Sequence, residues 1–129
     1  MRKQFDLQVK HELVRRGDKV RFRKFYKGGA EHFNLRINIE GPDLEEVESV
    51  EYELHPTFPS PLRKVTKKDG GFPLEIWTWG EFEIPVTFHF QDGTVAETIH
   101  NLEYSEQLPA TEEEYVDETP ASVKGGGAP

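Results

Sequence analysis

The chain has 129 residues, of which 35% are hydrophobic, and a formal net charge of −8. One domain is the expectation at this length, and the acidity disfavours nucleic acid as the main partner. Cysteine is absent, which excludes disulfides, thiolate nucleophiles and cysteine-based metal sites. The start "MRKQFDLQVKHEL" is positively charged but has no apolar run behind it. No segment approaches membrane-spanning length. The expectation is a soluble, cytoplasmic protein with no membrane partner.

Most of the chain alternates with period two. Residues 1–17 read as an N-terminal edge segment, a short strand or irregular edge. Val20 and Phe22 then alternate with Arg21 and Arg23, and Lys27-Gly28-Gly29 marks a turn. Phe33, Leu35, Ile37 and Ile39 face one way, with Asn34, Arg36, Asn38 and Glu40 the other. Gly41-Pro42-Asp43 stops that strand. Val50, Tyr52 and Leu54 oppose Glu51, Glu53 and His55. The cleanest alternation sets Phe82, Ile84, Val86, Phe88 and Phe90 inward, with Glu81, Glu83, Pro85, Thr87 and His89 toward water. Pro85 cannot donate to a ladder, so its strand is an edge there or carries a bulge. Asp92-Gly93 is a hairpin signal, and Val95, Ile99 and Leu102 form a looser strand after it. About seven such strands, each with one wet face, give an all-β class and an immunoglobulin-like antiparallel β-sandwich over residues 18–104. After Tyr104 the periodicity stops. Residues 105–129 are acidic and rich in proline and glycine, and read as a flexible tail. The basic residues between Arg2 and Lys27 and the acidic end are either solvated faces or a pair. In the second case a basic strand edge meets an acidic partner or the protein's own tail.

Chemistry is sparse. The five histidines are scattered without metal spacing, and no nucleophile elbow or phosphate loop exists. No enzyme, metal or cofactor is expected. Two loops stand out instead. In "LHPTFPSP", Pro56 and Pro59 bracket Thr57 and Phe58 and stiffen the backbone. In "WTWGEF", Trp77 and Trp79 flank Thr78 and precede Gly80; if extended, the two indoles share a face. Phe58 and Trp79 either cap the open end of the sandwich or line a pocket.

These same stretches, "VEYELHPTFPSPLRKV" and "TWGEFEIPVTFHF", resemble the YEATS domain family. The matching residues are Leu54, His55, Thr57, Phe58, Pro61 and Arg63, then Trp79, Gly80, Glu81, Phe82 and Ile84. "LRINIEGPD" resembles the family's earlier strand ending in Gly-Pro. The resemblance implies an immunoglobulin-like reader of acylated lysine. Phe58 and Trp79 are then the walls of an aromatic slot, Thr57 offers a hydroxyl to the acyl amide, and His55 supports the loop. A backbone N–H near Trp79 bonds the acyl carbonyl. Thr78 stands where the family commonly has glycine, and a β-branched residue resists positive φ. Trp77 is an extra wall, a plug or a core residue. Pro56 replaces an acidic residue common in eukaryotic members, so "LHPTF" resembles the prokaryotic branch more.

The physics fits such a ligand. Acylation removes the lysine charge, leaving a flat amide with an apolar cap that two rings can sandwich and a few donors can orient. The expected function is non-catalytic binding of an acetyl- or crotonyl-type lysine, or a similar small planar acyl ligand. The involved residues are His55, Thr57, Phe58, Trp77, Thr78, Trp79 and Gly80. The alternative is a structural or protein-interaction sandwich of a bacterial signalling or conflict system. There the cluster is packed shut, and other domains or proteins bind an edge strand or the basic face.

Overall fold

In the computed structural model of the chain, residues 5–124 are described. The chain is all-β, an immunoglobulin-like sandwich built from two sheets. One sheet has the order β6-β5-β8-β9, from β5 (Val47–Glu53), β6 (Leu62–Val65), β8 (Phe82–Phe90) and β9 (Val95–Leu102), paired antiparallel throughout. The other runs β1-β4-β3-β10, from β1 (Gln8–Leu13), β3 (Lys19–Arg23), β4 (His32–Glu40) and β10 (Tyr115–Asp117). In it β2 (Arg15–Arg16) pairs with β3, and β7 (Leu74–Thr78) pairs with β4. By compactness the described residues form two units, one of 5–11, 37–74 and 82–103, the other of 12–36, 75–81 and 104–124.

In the first unit, alternation fixes the core. Val50, Tyr52, Ile84, Val86 and Phe88 are fully buried. The Tyr52 hydroxyl donates to the Phe72 carbonyl at 2.7 Å, and burial pushes its pKa up, so it stays a donor. Phe72 takes φ 53° and Gly71 φ 82°. A side chain at Gly71 would strike the Ile39 carbonyl, whose own N–H donates back to Gly71 at 2.8 Å. Only glycine tolerates both conditions.

One expectation changes here. Val95 and Ile99 are 43% and 62% exposed, while Ala96 and Leu102 are buried. The pairing of β8 with β9 sets Ala96 opposite Phe88 and Leu102 opposite Phe82. Filling that face decides the register, and a shift of one residue sends Val95 and Ile99 outward. At Pro85 the strand is unpaired on its β5 side and so is an edge there, as expected, although β8 is inner in the order of its sheet. The β5–β8 ladder reaches only Val86, so Pro85 withholds no N–H from it. At the Asp92-Gly93 turn only Gly93 has positive φ, at 86°.

The same register points His100 toward His11 of β1. His11 Nε2 lies 2.8 Å from the Glu103 carbonyl, and its Nδ1 lies 2.7 Å from His100 Nε2. A carbonyl only accepts, so the neutral His11 ring carries its proton on Nε2. His100 Nε2–H therefore donates to His11 Nδ1.

In the second unit, Val20, Leu35 and Ile76 are buried, and so, against the alternation, is Asn34. Its side chain is fully engaged: Arg21 Nη1 donates to Oδ1 at 2.9 Å, and Nδ2 donates to the Ile76 carbonyl at 3.1 Å. Burial is tolerated because every polar group is paired.

Within the stretch expected to be a tail, the described residues 105–124 carry short elements. Short 3-10 turns at Ser105–Gln107 and Glu112–Glu114 lead into β10, which pairs parallel with β3, Tyr115 opposite Val20 and Asp117 opposite Phe22. The Tyr115 ring packs against Phe22 and Phe33 at 6.2 Å. Glu118 Oε1 accepts from Arg21 Nη2 at 2.6 Å, and Arg16 Nε sits 2.8 Å from Oε2. The hydrogen bond from Arg21 holds the Glu118 carboxyl below its ordinary range. Composition alone does not point to these pairings, because the partners, Arg21 and Phe22, lie far off in sequence. The last part of the tail, residues 125–129, lies outside the described residues.

The histidine pair makes stability depend on pH. Burial, with the neighbouring His11 charge second, lowers the His100 pKa from 6.5 to about 4. Between these values the unfolded chain binds more protons than the native one, so stability is complete above 6.5 and is lost as pH falls toward 4. Partial exposure reduces the effect to about 1–2 kcal/mol. Urea unfolding of His100→Gln across this window should show a correspondingly shallower acid loss than the parent.

Candidate functional site

The first expected loop follows β5 in the first unit. Leu54 is buried, and its N–H donates to the Pro61 carbonyl at 2.8 Å, closing the loop at its base. Pro56 presets a turn in which Phe58 N–H donates to the His55 carbonyl at 2.9 Å. His55 Nδ1 accepts from Thr57 N–H at 3.2 Å and lies 2.9 Å from Thr57 Oγ1. An amide N–H only donates, so Nδ1 carries the lone pair. The hydroxyl proton turns toward that nitrogen, and the Oγ1 lone pairs are left to accept. Ser60 has φ 48°, and Arg63 clamps this strained stretch. Its Nε and Nη2 donate to the Ser60 and Pro59 carbonyls at 2.6 and 2.8 Å.

His55 and Thr57 are exposed, and Phe58 is half-buried. Phe82, at the start of β8, supports them both. Its ring centroid is 5.6 Å from Phe58, tilted by 49°, and 5.9 Å from His55, edge-on. Phe82 is therefore the floor of this loop rather than plain core.

The second expected loop follows β7 in the other unit. Thr78 is buried. Its Oγ1 donates to the Gly80 carbonyl at 3.0 Å and accepts from Gly80 N–H at 3.3 Å. None of Thr78, Trp79 and Gly80 takes positive φ, so a β-branched residue fits where glycine was anticipated. This inward threonine turns Trp79 out, 63% exposed. A side chain added at Gly80 would meet nothing within 4 Å; neither strain nor packing requires a glycine there. Trp77 is half-buried beneath two guanidinium groups, with Arg21 and Arg23 Cζ 5.3 and 4.7 Å from its ring.

Two residues that sequence reading left in the background secure this loop. The Tyr104 hydroxyl donates to the Gly80 carbonyl at 3.3 Å. Burial, then the Glu81 charge, pushes its pKa up to about 12, so it remains a donor. Glu81 is exposed, as expected, and accepts at Oε2 from the backbone N–H groups of Tyr104 and Ser105 at 2.6 and 3.0 Å. Those two bonds, Ser105 first, hold its carboxyl below the ordinary range. Among the described residues no group of three metal-ligating side chains assembles.

The Glu81 latch makes its own prediction. The group's folded pKa is depressed, so its contribution is present above the ordinary value of 4.5 and is lost as pH falls below it. Glu81→Ala should speed hydrogen exchange at the Tyr104 and Ser105 amides by roughly tenfold at neutral pH, with the β5–β8 ladder unaffected. Equal protection in parent and variant would show that the carboxylate holds nothing.

A profile of the prokaryotic YEATS domain matches residues 33–103, more than half of the chain. Relatives include the protein AF-9 homolog of Eremothecium gossypii, 33% identical over 90 residues, 66% of this chain and 42% of that protein. Another is the transcription initiation factor TFIID subunit 14 of Schizosaccharomyces pombe, 33% identical over 69 residues, 53% of this chain and 28% of that protein. The chain thus spans less than half the length of these two relatives. Among solved structures, the Yaf9 YEATS domain recognising an H3K122suc peptide gives a TM-score of 0.54 at 22% identity over 82% of each chain. The same domain bound to H3K27ac gives 0.50 at 21% identity, over 80% of this chain and 77% of that one. At these identities the likeness is one of fold.

Proposed function

The chain belongs to the YEATS domain family, and we propose that it recognises an acylated lysine or a similar planar acyl group through the two loops just described. The observation that carries this reading is the condition of Trp79: a large ring left 63% exposed on a loop braced by the Thr78, Tyr104 and Glu81 side chains. A ring that caps a core is buried, and one that merely tolerates solvent needs no such bracing. A rigid exposed aromatic lowers the entropy lost on binding.

The roles follow from the chemistry of each group. Phe58 and Trp79 offer ring faces to a flat amide. Thr57 Oγ1, its proton committed to His55, accepts the N–H of the acyl amide. A backbone N–H beside Trp79 donates to the acyl oxygen. Gly80, free of any folding demand, leaves space for the ligand's approach. Trp77 is assigned as the seat of the Trp79 loop, since its ring already faces two arginines. An unmodified lysine brings an ammonium with no acceptor for the backbone donor and no flat face for the rings. The membership fits a binding module, and no catalytic group is assigned. That Yaf9 domains bind acylated histone H3 peptides is consistent with this ligand class.

Isothermal titration of acetyl- and crotonyl-lysine peptides against the unmodified peptide tests the reading. We expect measurable binding of the acylated peptides only, weakened at least about tenfold, roughly 1.4 kcal/mol, by Phe58→Ala and by Trp79→Ala. Thr57→Val should weaken it as well, with the melting temperature of all three variants near the parent's. Equal affinity for acylated and free lysine, or no effect of either aromatic change, contradicts the proposal.

A further inference from the structure

We propose that Glu118 is a positioning residue for acyl recognition, a role that rests on the reading of Trp79 as a wall of the acyl site. From the C-terminal segment it fixes the arginines that cover Trp77, and so sets the Trp79 loop. The Glu118 side chain is only 13% exposed, and Arg21 Nε and Nη2 both donate to its Oε1, at 2.8 and 2.6 Å. Arg16 Nε lies 2.8 Å from Oε2, and the Arg23 charge also acts on the carboxylate. Three cations of β2 and β3 thus converge on one acid, which follows Arg21 by 97 positions in the chain.

The arginines carry this hold to Trp77. The third nitrogen of Arg21, Nη1, donates to Asn34 Oδ1 at 2.9 Å, so all three nitrogens are engaged and the guanidinium plane is fixed. Its Cζ lies 5.3 Å from the Trp77 ring, and Arg23 Cζ lies 4.7 Å from the same ring. Asn34 provides a second route. Its Nδ2 donates to the Ile76 carbonyl at 3.1 Å, one residue before Trp77. Trp77 is therefore held by its ring and by the backbone ahead of it, and both holds pass through Arg21. Without the Glu118 charge, a largely buried guanidinium loses its partner and is drawn toward water, off the indole.

The same segment holds the far side of the loop. The Tyr104 hydroxyl donates to the Gly80 carbonyl, and Glu81 accepts from the Tyr104 and Ser105 N–H groups. Further along, the Glu118 N–H donates to the Phe22 carbonyl at 2.7 Å, and Thr119 Oγ1 accepts from the Lys24 N–H at 2.9 Å. These bonds seat Glu118 against β3 by its own backbone. Residues 104–119 thus grip the Trp77–Glu81 stretch at both ends, one through bonds to and from backbone groups and the other through charge. Trp79, two residues beyond Trp77 and one before Gly80, lies between the two grips.

Isothermal titration of the full chain with an acetyl-lysine peptide tests this. Glu118→Gln keeps the size and removes the charge, and should weaken binding at least about fivefold. Arg21→Lys keeps a positive charge but loses the planar fork, and should weaken it likewise; it carries the test if the first variant does not fold. Glu113→Gln is the control. It removes an equal charge from the same segment, where Lys19 uses only the Glu113 carbonyl, and should bind as the parent does. The two tryptophan indole N–H resonances, recorded without ligand, separate positioning from a general loss of stability. Glu118→Gln should shift both, with the amides of the β5–β8 ladder unmoved. Parent-like affinity in both Glu118→Gln and Arg21→Lys, an equal loss in Glu113→Gln, or unmoved indole signals overturns the proposal. If the parent binds no acylated peptide, it is the acyl reading that fails, and the indole signals alone decide whether Glu118 sets the loop.

Discussion

A loop that holds an aromatic ring in water must first satisfy its own backbone, because unpaired carbonyls and N–H groups would otherwise let it collapse or wander. Side chains answer this demand in both loops. After β5, His55 takes the Thr57 N–H, and Arg63 takes the Ser60 and Pro59 carbonyls. After β7, Thr78 folds onto Gly80, Tyr104 caps the Gly80 carbonyl, and Glu81 ties the strand's start to Tyr104 and Ser105. The conspicuous residues of each motif, Phe58 and Trp79, depend on these less conspicuous ones. That also gives reasons for motif positions that no ligand contact is needed to explain. Arg63 is a clamp on a strained turn, and Phe82 is the surface on which Phe58 and His55 rest.

Much of the fold was legible in alternation. The sequence places Val50, Tyr52, Ile84, Val86 and Phe88 inward, and all are buried. The failures share a cause: each was decided by a partner distant in the chain. The register of β9 was set by Phe88 and Phe82 across the ladder, which sent Ile99 outward and His100 inward. Asn34 looked outward by parity but is buried because Arg21 and Ile76 satisfy it. Composition names no partner for residues 105–124, where Tyr115 meets Phe22 and Glu118 meets Arg21 of β3. Of the two loops, the exposed rings could be read from the motifs. The bracing by Glu81 and Tyr104 could not, since their bonds run to backbone atoms distant in the chain.

The tail also gives a physical meaning to the uneven charge. The basic stretch around Arg16, Lys19 and Arg21 is balanced within the chain by residues 113–118. The pairing is local to β3. The molecule as a whole stays acidic. Charge count alone describes neither condition.

We propose that the Thr57–Phe58 and Trp79–Gly80 loops both serve acyl recognition. The most direct measurement is a nitrogen-15 correlation spectrum recorded during titration with acetyl-lysine amide. Shifts that saturate together with one affinity are expected at the Thr57, Phe58, Trp79 and Gly80 amides and the Trp79 indole, and none with free lysine. Shifts confined to one loop, or two affinities, or the same pattern with unmodified lysine would contradict it.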